Sequence, residues 1–242
     1  INFPDEYINV NVNGTLNILR NSVKYQIKKF IYAASSSCYG IPKKYPTKEN
    51  ENISPQYPYA LSKYMGEQLV LHWAKVYKLK CNSIRIFNAY GLRSKTTGAY
   101  GSVIGTFMKQ KIEKKPLTLV GDGSQKRDFI NVKDLVKAFY LSAKSNFHSQ
   151  VYNVGSGKPV SIKYLIKLID SKTIKIPKRP GEPDITHANI SKIKRELKWK
   201  PKISFDEGIK EIMQNINYWK SAPLWNKKNI EKATEDWFKY LS

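Results

Sequence analysis

The sequence predicts an α/β chain: a doubly wound parallel sheet followed by a smaller mixed α/β unit. Amphipathic helices alternate with short apolar strands through short connections, which is the pattern of a parallel sheet wound with crossover helices. Two of these strands end in polar residues, at Ser35, Ser36 and Ser37 and again at Phe87, Asn88, Ala89 and Tyr90. After "IKIPKRPGEPD" the alternation gives way to helical patterns.

The elements follow in order. "INVNVNGTLNILRNSVKYQIKK" carries a mixed apolar face and predicts a helix over roughly 7 to 28, running into the buried-type strand "KFIYAAS". "SPQYPYALSKYMGEQLVLHWAKVYKL" predicts a long helix, with Pro55 and Pro58 marking the turn into it, and "CNSIRIFN" a second strand. The alternation continues more loosely through "PLTLV", "RDFINVKDLVKAFYLSAK", "QVYNVGSG" and "SIKYLIKLI", and "SFDEGIKEIMQNINYWK" and "NKKNIEKATEDWFKYL" close the chain as helices. In such sheets ligands sit outside the carboxyl ends of the strands, so the two polar edges mark the expected cleft.

Composition narrows the class. With 242 residues and 41% hydrophobic content, the chain can bury an enzyme-sized core. No apolar run reaches the roughly 18 residues of a membrane span, and the start lacks a signal-peptide layout. Cys38 and Cys81 are far apart and form no CxxC, which argues against a disulfide framework or a zinc site and for a reducing, cytoplasmic setting. The net charge of +23 comes from lysines scattered along the chain, so it reads as a solvated surface rather than a nucleic-acid footprint. His72, His148 and His187 have no metal-ligand spacing, and "GSG" at 155 to 157 lacks a phosphate-loop fingerprint and reads as a turn.

Tyr59 and Lys63 lie four apart and share a helix face. Tyr25/Lys29, Tyr39/Lys43 and Tyr140/Lys144 have the same spacing, but only Tyr59 opens a helix after a strand that ends in serines. A tyrosine acts as a general base when its pKa falls from about 10 toward neutrality, a change of roughly 4 kcal/mol. A lysine one turn away, or an oxidised nicotinamide, supplies the required sign of charge.

"NVNGT", "SSSCYG", "YALSK", "RIFNAYG", "GDGSQKRDF", "VYNVGSG" and "KRPGEPD" stand in order at family-like spacing. In these motifs the chain resembles the extended short-chain dehydrogenase/reductase family, and within it the NAD-dependent nucleotide-sugar epimerases of the UDP-glucose 4-epimerase type. The resemblance implies a Rossmann-like sheet with NAD as cofactor and a UDP-sugar as substrate. It implies Tyr59 as base, Lys63 lowering its pKa and binding the nicotinamide ribose, and Ser35 positioning the sugar 4-oxygen. Asn11 falls near the cofactor phosphates and Phe87 beside the nicotinamide. Asn88, Arg127 and Arg179 match the diphosphate-holding groups, Glu182 the acid on the uridine ribose, and Thr186 the position that controls sugar size. Ser36 and Ser37 shape the sugar pocket. Being serines rather than acids, they favour epimerisation over dehydration or decarboxylation, with a 4,6-dehydratase or a 4-keto reductase as the nearest rivals. For Arg127 a salt bridge with Asp128, and for Glu182 a loop cap beside Pro183, are the structural alternatives. A homodimer through the helices of "NVNGTLNIL" and "YALSKYMGEQLV" is implied as well. The alternative outside enzymology is an NAD-fold protein that binds nucleic acid through its basic surface.

The family's glycine-rich fingerprint and first βαβ units are absent from the sequence, and its first residue is Ile. The expectation is that residues 1–100 form the later part of a Rossmann domain, with 128–156 packing back on it, and that 101–127 and 157–242 form the nucleotide-sugar domain. A preceding segment of about 70 to 90 residues is expected on the same ground. These 242 residues alone are then predicted to bind NAD poorly. Calorimetric titration checks this, and affinity equal to that of an upstream-extended protein contradicts it.

Overall fold

Residues 1, 3–94, 96 and 102–241 are described by a computed structural model. From the start, α1 (Pro4–Ile8) passes through a π turn (Asn9–Asn13) into α2 (Gly14–Lys24), followed by β1 (Phe30–Ser35), α3 (Pro58–Tyr77) and β2 (Cys81–Ile86). Next come β3 (Asn88–Tyr90), α4 (Val103–Ile112), β4 (Leu117–Val120), β5 (Lys126–Arg127), β6 (Phe129–Asn131), α5 (Val132–Lys144) and β7 (Gln150–Val154). After β8 (Val160–Ser161), α6 (Ile162–Ile169) and β9 (Thr173–Ile176), the chain is helical through α7 (Ser191–Leu197), α8 (Phe205–Gln214), α9 (Lys227–Ala233) and α10 (Glu235–Leu241).

The first helical stretch starts and stops earlier than the 7 to 28 expected from sequence. Pro4 opens it, as a residue without a backbone N–H is suited to do, and Gln26 ends it in a left-handed turn at φ 49°. The boundary expected between residues 100 and 101 lies outside the described residues.

β1, β2 and β7 form a parallel sheet in that order, as the helix–strand alternation predicts. Its register aligns Ser35 with Ile86 and Ile86 with Val154, so the three carboxyl ends share one edge. Alternate residues of a strand face opposite sides of the sheet. Tyr32, Ala34 and Cys81 accordingly pack with Val70 and Ala74 of α3. Ile31, Ile84, Tyr152 and Val154 pack with Leu135 and Ala138 of α5 and with Ile193 of α7. Both faces are covered, which is why these strands read as apolar runs.

Beyond that edge, β3 pairs with β6 and β4 with β9, both parallel, while β5 pairs antiparallel with β8. Leu117 and Leu119 of β4, Phe107 and Met108 of α4, Leu165 of α6, Ile209 and Ile212 of α8 and Trp219 form a further core around them.

A buried polar network fixes α3 against the sheet. Glu67 on α3 takes three bonds from Arg85 on β2, with the shortest at 2.6 Å, and one from the Ser83 hydroxyl at 2.7 Å. Arg85 also donates to the Tyr39 hydroxyl at 2.8 Å and the Glu49 carbonyl at 3.0 Å, and Tyr39 donates to Asn153 of β7 at 2.7 Å. One carboxylate thus links a helix, two strands and the loop that follows β1. Removing one member of a buried pair leaves the other charge unpaired. Glu67→Ala is therefore expected to lower unfolding free energy by about 3–5 kcal/mol, read from urea denaturation; a loss under about 1 kcal/mol would contradict the role given to the network.

Candidate active site

The chain leaves β1 at Ser35, in extended conformation, and enters a short 3₁₀ turn over Ser36–Tyr39. Ser35 caps this turn: its Oγ accepts the Ser37 N–H at 3.2 Å and shares a hydrogen bond with Ser37 Oγ at 2.8 Å. The turn ends at Gly40, whose φ is +61° and where an added Cβ would come within 2.1 Å of the Ser54 carbonyl oxygen. Only glycine fits both constraints, which accounts for the Tyr-Gly pair after the serines.

α3 starts opposite this turn, with Tyr57 as N-cap and Pro58 at the first helical position. The Tyr57 and Tyr59 rings stack at 6.5 Å with 11° between planes, and Tyr7 of α1 meets Tyr59 edge-on at 5.6 Å. Burial pushes the Tyr59 phenol above its ordinary value of 10, with the Ser35 hydroxyl pulling the other way and Tyr7 reinforcing the rise. Lys63 is not among the groups that act on this phenol. The Lys63 ammonium lies over the Tyr32 ring, 4.7 Å from its centroid, and burial lowers its own pKa. A buried phenol and a buried ammonium each raise the cost of their own charge, so Tyr59 needs further positive charge before it can serve as a base.

Asn11 sits in the π turn, a feature that recurs at functional sites. Its side chain donates to Ser62 Oγ at 3.0 Å, and Ser62 donates to the Tyr59 carbonyl at 2.9 Å. The close crossing of the π turn over α3 is allowed by Gly66, where an added Cβ would be 2.8 Å from the Asn11 carbonyl oxygen.

A cleft of about 500 Å³ opens over the sheet edge. Ser35, Ser36, Tyr59, Phe87, Asn88, Arg127, Arg179, Glu182 and Thr186 all line it, whereas Asn11 and Lys63 lie outside its lining. At its far end Glu182 stands between two guanidinium groups, 2.9 Å from Arg179 and 3.6 Å from Arg127. Arg127 also donates to the Pro183 carbonyl at 2.9 Å. Asp128 is not its partner: that carboxylate turns inward and accepts the N–H groups of Ser156 at 2.6 Å, Gly157 at 3.1 Å and Ala188 at 2.8 Å. "GSG" is therefore a turn tied to a buried acid, and His187 closes it by pairing with the Gly157 carbonyl at 3.1 Å. Glu182 is an arginine-pairing group rather than a loop cap. The Thr186 hydroxyl donates to Asn88 Oδ1 at 2.7 Å and accepts the Asp128 N–H at 2.9 Å, so Thr186 holds Asn88 in place as well as facing the cleft.

Two lining residues escaped the sequence reading: Tyr57 stacks on Tyr59, and Gln125 joins the lining. Ser37, expected to shape the pocket, also bonds Ser35 directly. The first tyrosine in "QYPYALSK", Tyr57, is a signal in principle, but nothing in the sequence separates a capping tyrosine from an exposed one.

The family model described as GDP-mannose 4,6 dehydratase matches residues 1–212. The UDP-glucuronate 4-epimerase of Thermodesulfobacterium geofontis is 32% identical over 94% of this chain and 68% of its own length. Among solved structures, the UDP-N-acetylglucosamine 4-epimerase of Methanobrevibacter ruminantium M1, in complex with UDP-N-acetylmuramic acid, superposes with a TM-score of 0.83 at 32% identity, over 90% of this chain and 71% of that one. The UDP-glucuronic acid 4-epimerase of Bacillus cereus, in complex with UDP-glucuronic acid and NAD, gives 0.77 at 29% identity, over 88% and 68%.

Tyrosinate absorbance compared between this chain and Tyr59→Phe is expected to show the phenol ionising only above 10. Tyr32 and Tyr57, both pushed up to about 12 by burial, behave alike. Groups whose folded pKa exceeds the unfolded value contribute stability below the unfolded pKa and lose it as pH rises through the folded one. Urea midpoints should fall between pH 10 and about 12; midpoints that hold constant there would contradict the burial of these phenols.

Proposed function

Because this chain belongs to the NAD-dependent epimerase/dehydratase family of extended short-chain dehydrogenases/reductases, we propose that it carries out nucleotide-sugar 4-epimerisation, interconverting UDP-glucose and UDP-galactose or their N-acetylated forms through a transient 4-keto sugar. The observation that carries this reading is one cleft lined both by Ser35 and Tyr59 and by Arg127, Arg179 and Glu182. A diphosphate matches the arginine end, since each guanidinium fork can grip two phosphate oxygens. The sugar then reaches the serines.

Ser35 holds the 4-oxygen by a hydrogen bond, and Tyr59, as phenolate, takes the 4-hydroxyl proton. NAD, when bound, supplies the hydride acceptor for C4 and a positive charge beside the phenol. The residues fit such a group: Tyr59 is buried and raised, so it calls for a neighbouring cation. Asn11, Lys63, Phe87, Tyr59 and Ser35 are the residues that would hold it. Tyr59 would return its proton to the 4-oxygen at the end of the cycle, which restores its own protonation state and leaves no net oxidation.

Among the described residues lining the cleft, Glu182 is the only carboxylate, and two arginines hold it. Dehydration and decarboxylation need a free acid or base near C5 and C6, which favours epimerisation. Thr186 is proposed to admit both plain and N-acetylated hexoses. A homodimer is proposed through α2 and α3, where Ile18, Leu61 and Met65 remain exposed. The proposed setting is the cytoplasm, and no described helix is long and apolar enough to cross a membrane.

The test is to incubate the natural protein with nucleotide sugars and catalytic NAD and to identify products by NMR. Gluco and galacto forms should interconvert without net NAD reduction, and Tyr59→Phe should slow this by about 10²–10⁴-fold. A 4-keto-6-deoxy product, consumption of reduced cofactor, or salt-sensitive RNA binding without turnover would each overturn the reading.

A further inference from the structure

The C-terminal helices lie beyond residues 1–212, the span matched by the family model. Within α10 the buried residue is Trp237, 4% exposed. Its indole reaches three parts of the site. Its N–H donates to the Pro180 carbonyl, inside the loop that carries Arg179 and Glu182. Its ring lies 5.8 Å from the Arg179 guanidinium carbon and 5.0 Å from the Tyr57 ring centroid. Tyr57 in turn stacks on Tyr59. The same loop turns at Gly181, φ +73°, where an added Cβ would be 3.4 Å from Leu241 at the end of α10.

We propose that Trp237 is a positioning residue for substrate binding: its aromatic face holds Arg179 in the orientation that grips the diphosphate, and through Tyr57 it ties that grip to the start of the catalytic helix. The proposal rests on the diphosphate-sugar reading of the cleft. A guanidinium prefers an aromatic face to an aliphatic one because the ring quadrupole attracts the cation. Contact with the ring also removes side-chain freedom before the ligand arrives, so less is lost on binding. A plug that only filled space would need volume and not a π face. This difference separates the two roles.

The experiment measures UDP affinity by calorimetry on the full chain for wild type, Trp237→Phe, Trp237→Leu and Arg179→Ala, and for Arg179→Ala combined with Trp237→Leu, with the thermal midpoint of each. Phe keeps the ring and should stay within about twofold of wild type. Leu keeps apolar volume without a π face and should weaken binding about tenfold. In the Arg179→Ala background the Leu change should add little, because coupled residues are not additive. In turnover assays on the natural protein, Trp237→Leu should raise KM with kcat nearly kept. Leu binding UDP as tightly as Phe, or a full tenfold loss persisting without Arg179, overturns the positioning role and leaves the proposed function standing. Wild type that fails to bind UDP overturns both.

Discussion

The Glu67–Arg85 pair holds together the elements on which the site is built. Taking two ions out of water is costly unless hydrogen bonds satisfy both, and here nearly every lone pair and proton of the pair is used. Glu67 accepts from Arg85 and Ser83, while Arg85 also reaches Tyr39 and the Glu49 carbonyl. Glu67 stands two turns along α3 from Tyr59, on the same face as Lys63. The pair therefore fixes the rotation of α3 about its own axis, and with it the direction in which Tyr59 projects. Through Tyr39 the same network reaches the serine turn and Asn153 of β7. Tyr59 and the serine turn are thus referenced to one buried charge, the kind of fixed support that the proposed roles of Tyr59 and Ser35 require.

Electrostatics divides the cleft into two ends with opposite demands. At the sheet edge burial disfavours the phenolate of Tyr59. At the far end two guanidinium groups converge, and Glu182 offsets the repulsion between them. An anionic diphosphate suits the second end and a cationic ring the first. The scattered lysine surface contributes to neither, since exposed charges are screened within about 8–10 Å in salt.

The carboxylates of the chain show why spacing alone misassigns acids. Asp128 follows Arg127 in sequence, yet the two side chains part: Arg127 at the end of β5 lines the cleft, and Asp128, in the link between β5 and β6, ties the turn after β7 to the segment around Ala188. Glu182, three residues after Arg179, is placed by the left-handed turn at Gly181 to meet both arginines.

Local pattern by itself determined much of this protein. Strand–helix alternation, the polar strand ends and the proline-led helix specified the parallel sheet and its ligand-bearing edge, because backbone geometry ties side-chain direction to periods of 2 and 3.6 residues. The same pattern brought Ser35, Tyr59, Phe87 and Asn88 to that edge. Tertiary structure alone decided the direction in which the Tyr59 phenol is pushed, since desolvation depends on what packs around a group and not on its neighbours in the chain. It also turned Lys63 toward Tyr32, gave Thr186 a bond to Asn88, and set Trp237 between the arginine loop and Tyr57. These contacts join residues far apart in sequence, and no short-range period encodes which of five tryptophans will meet which arginine.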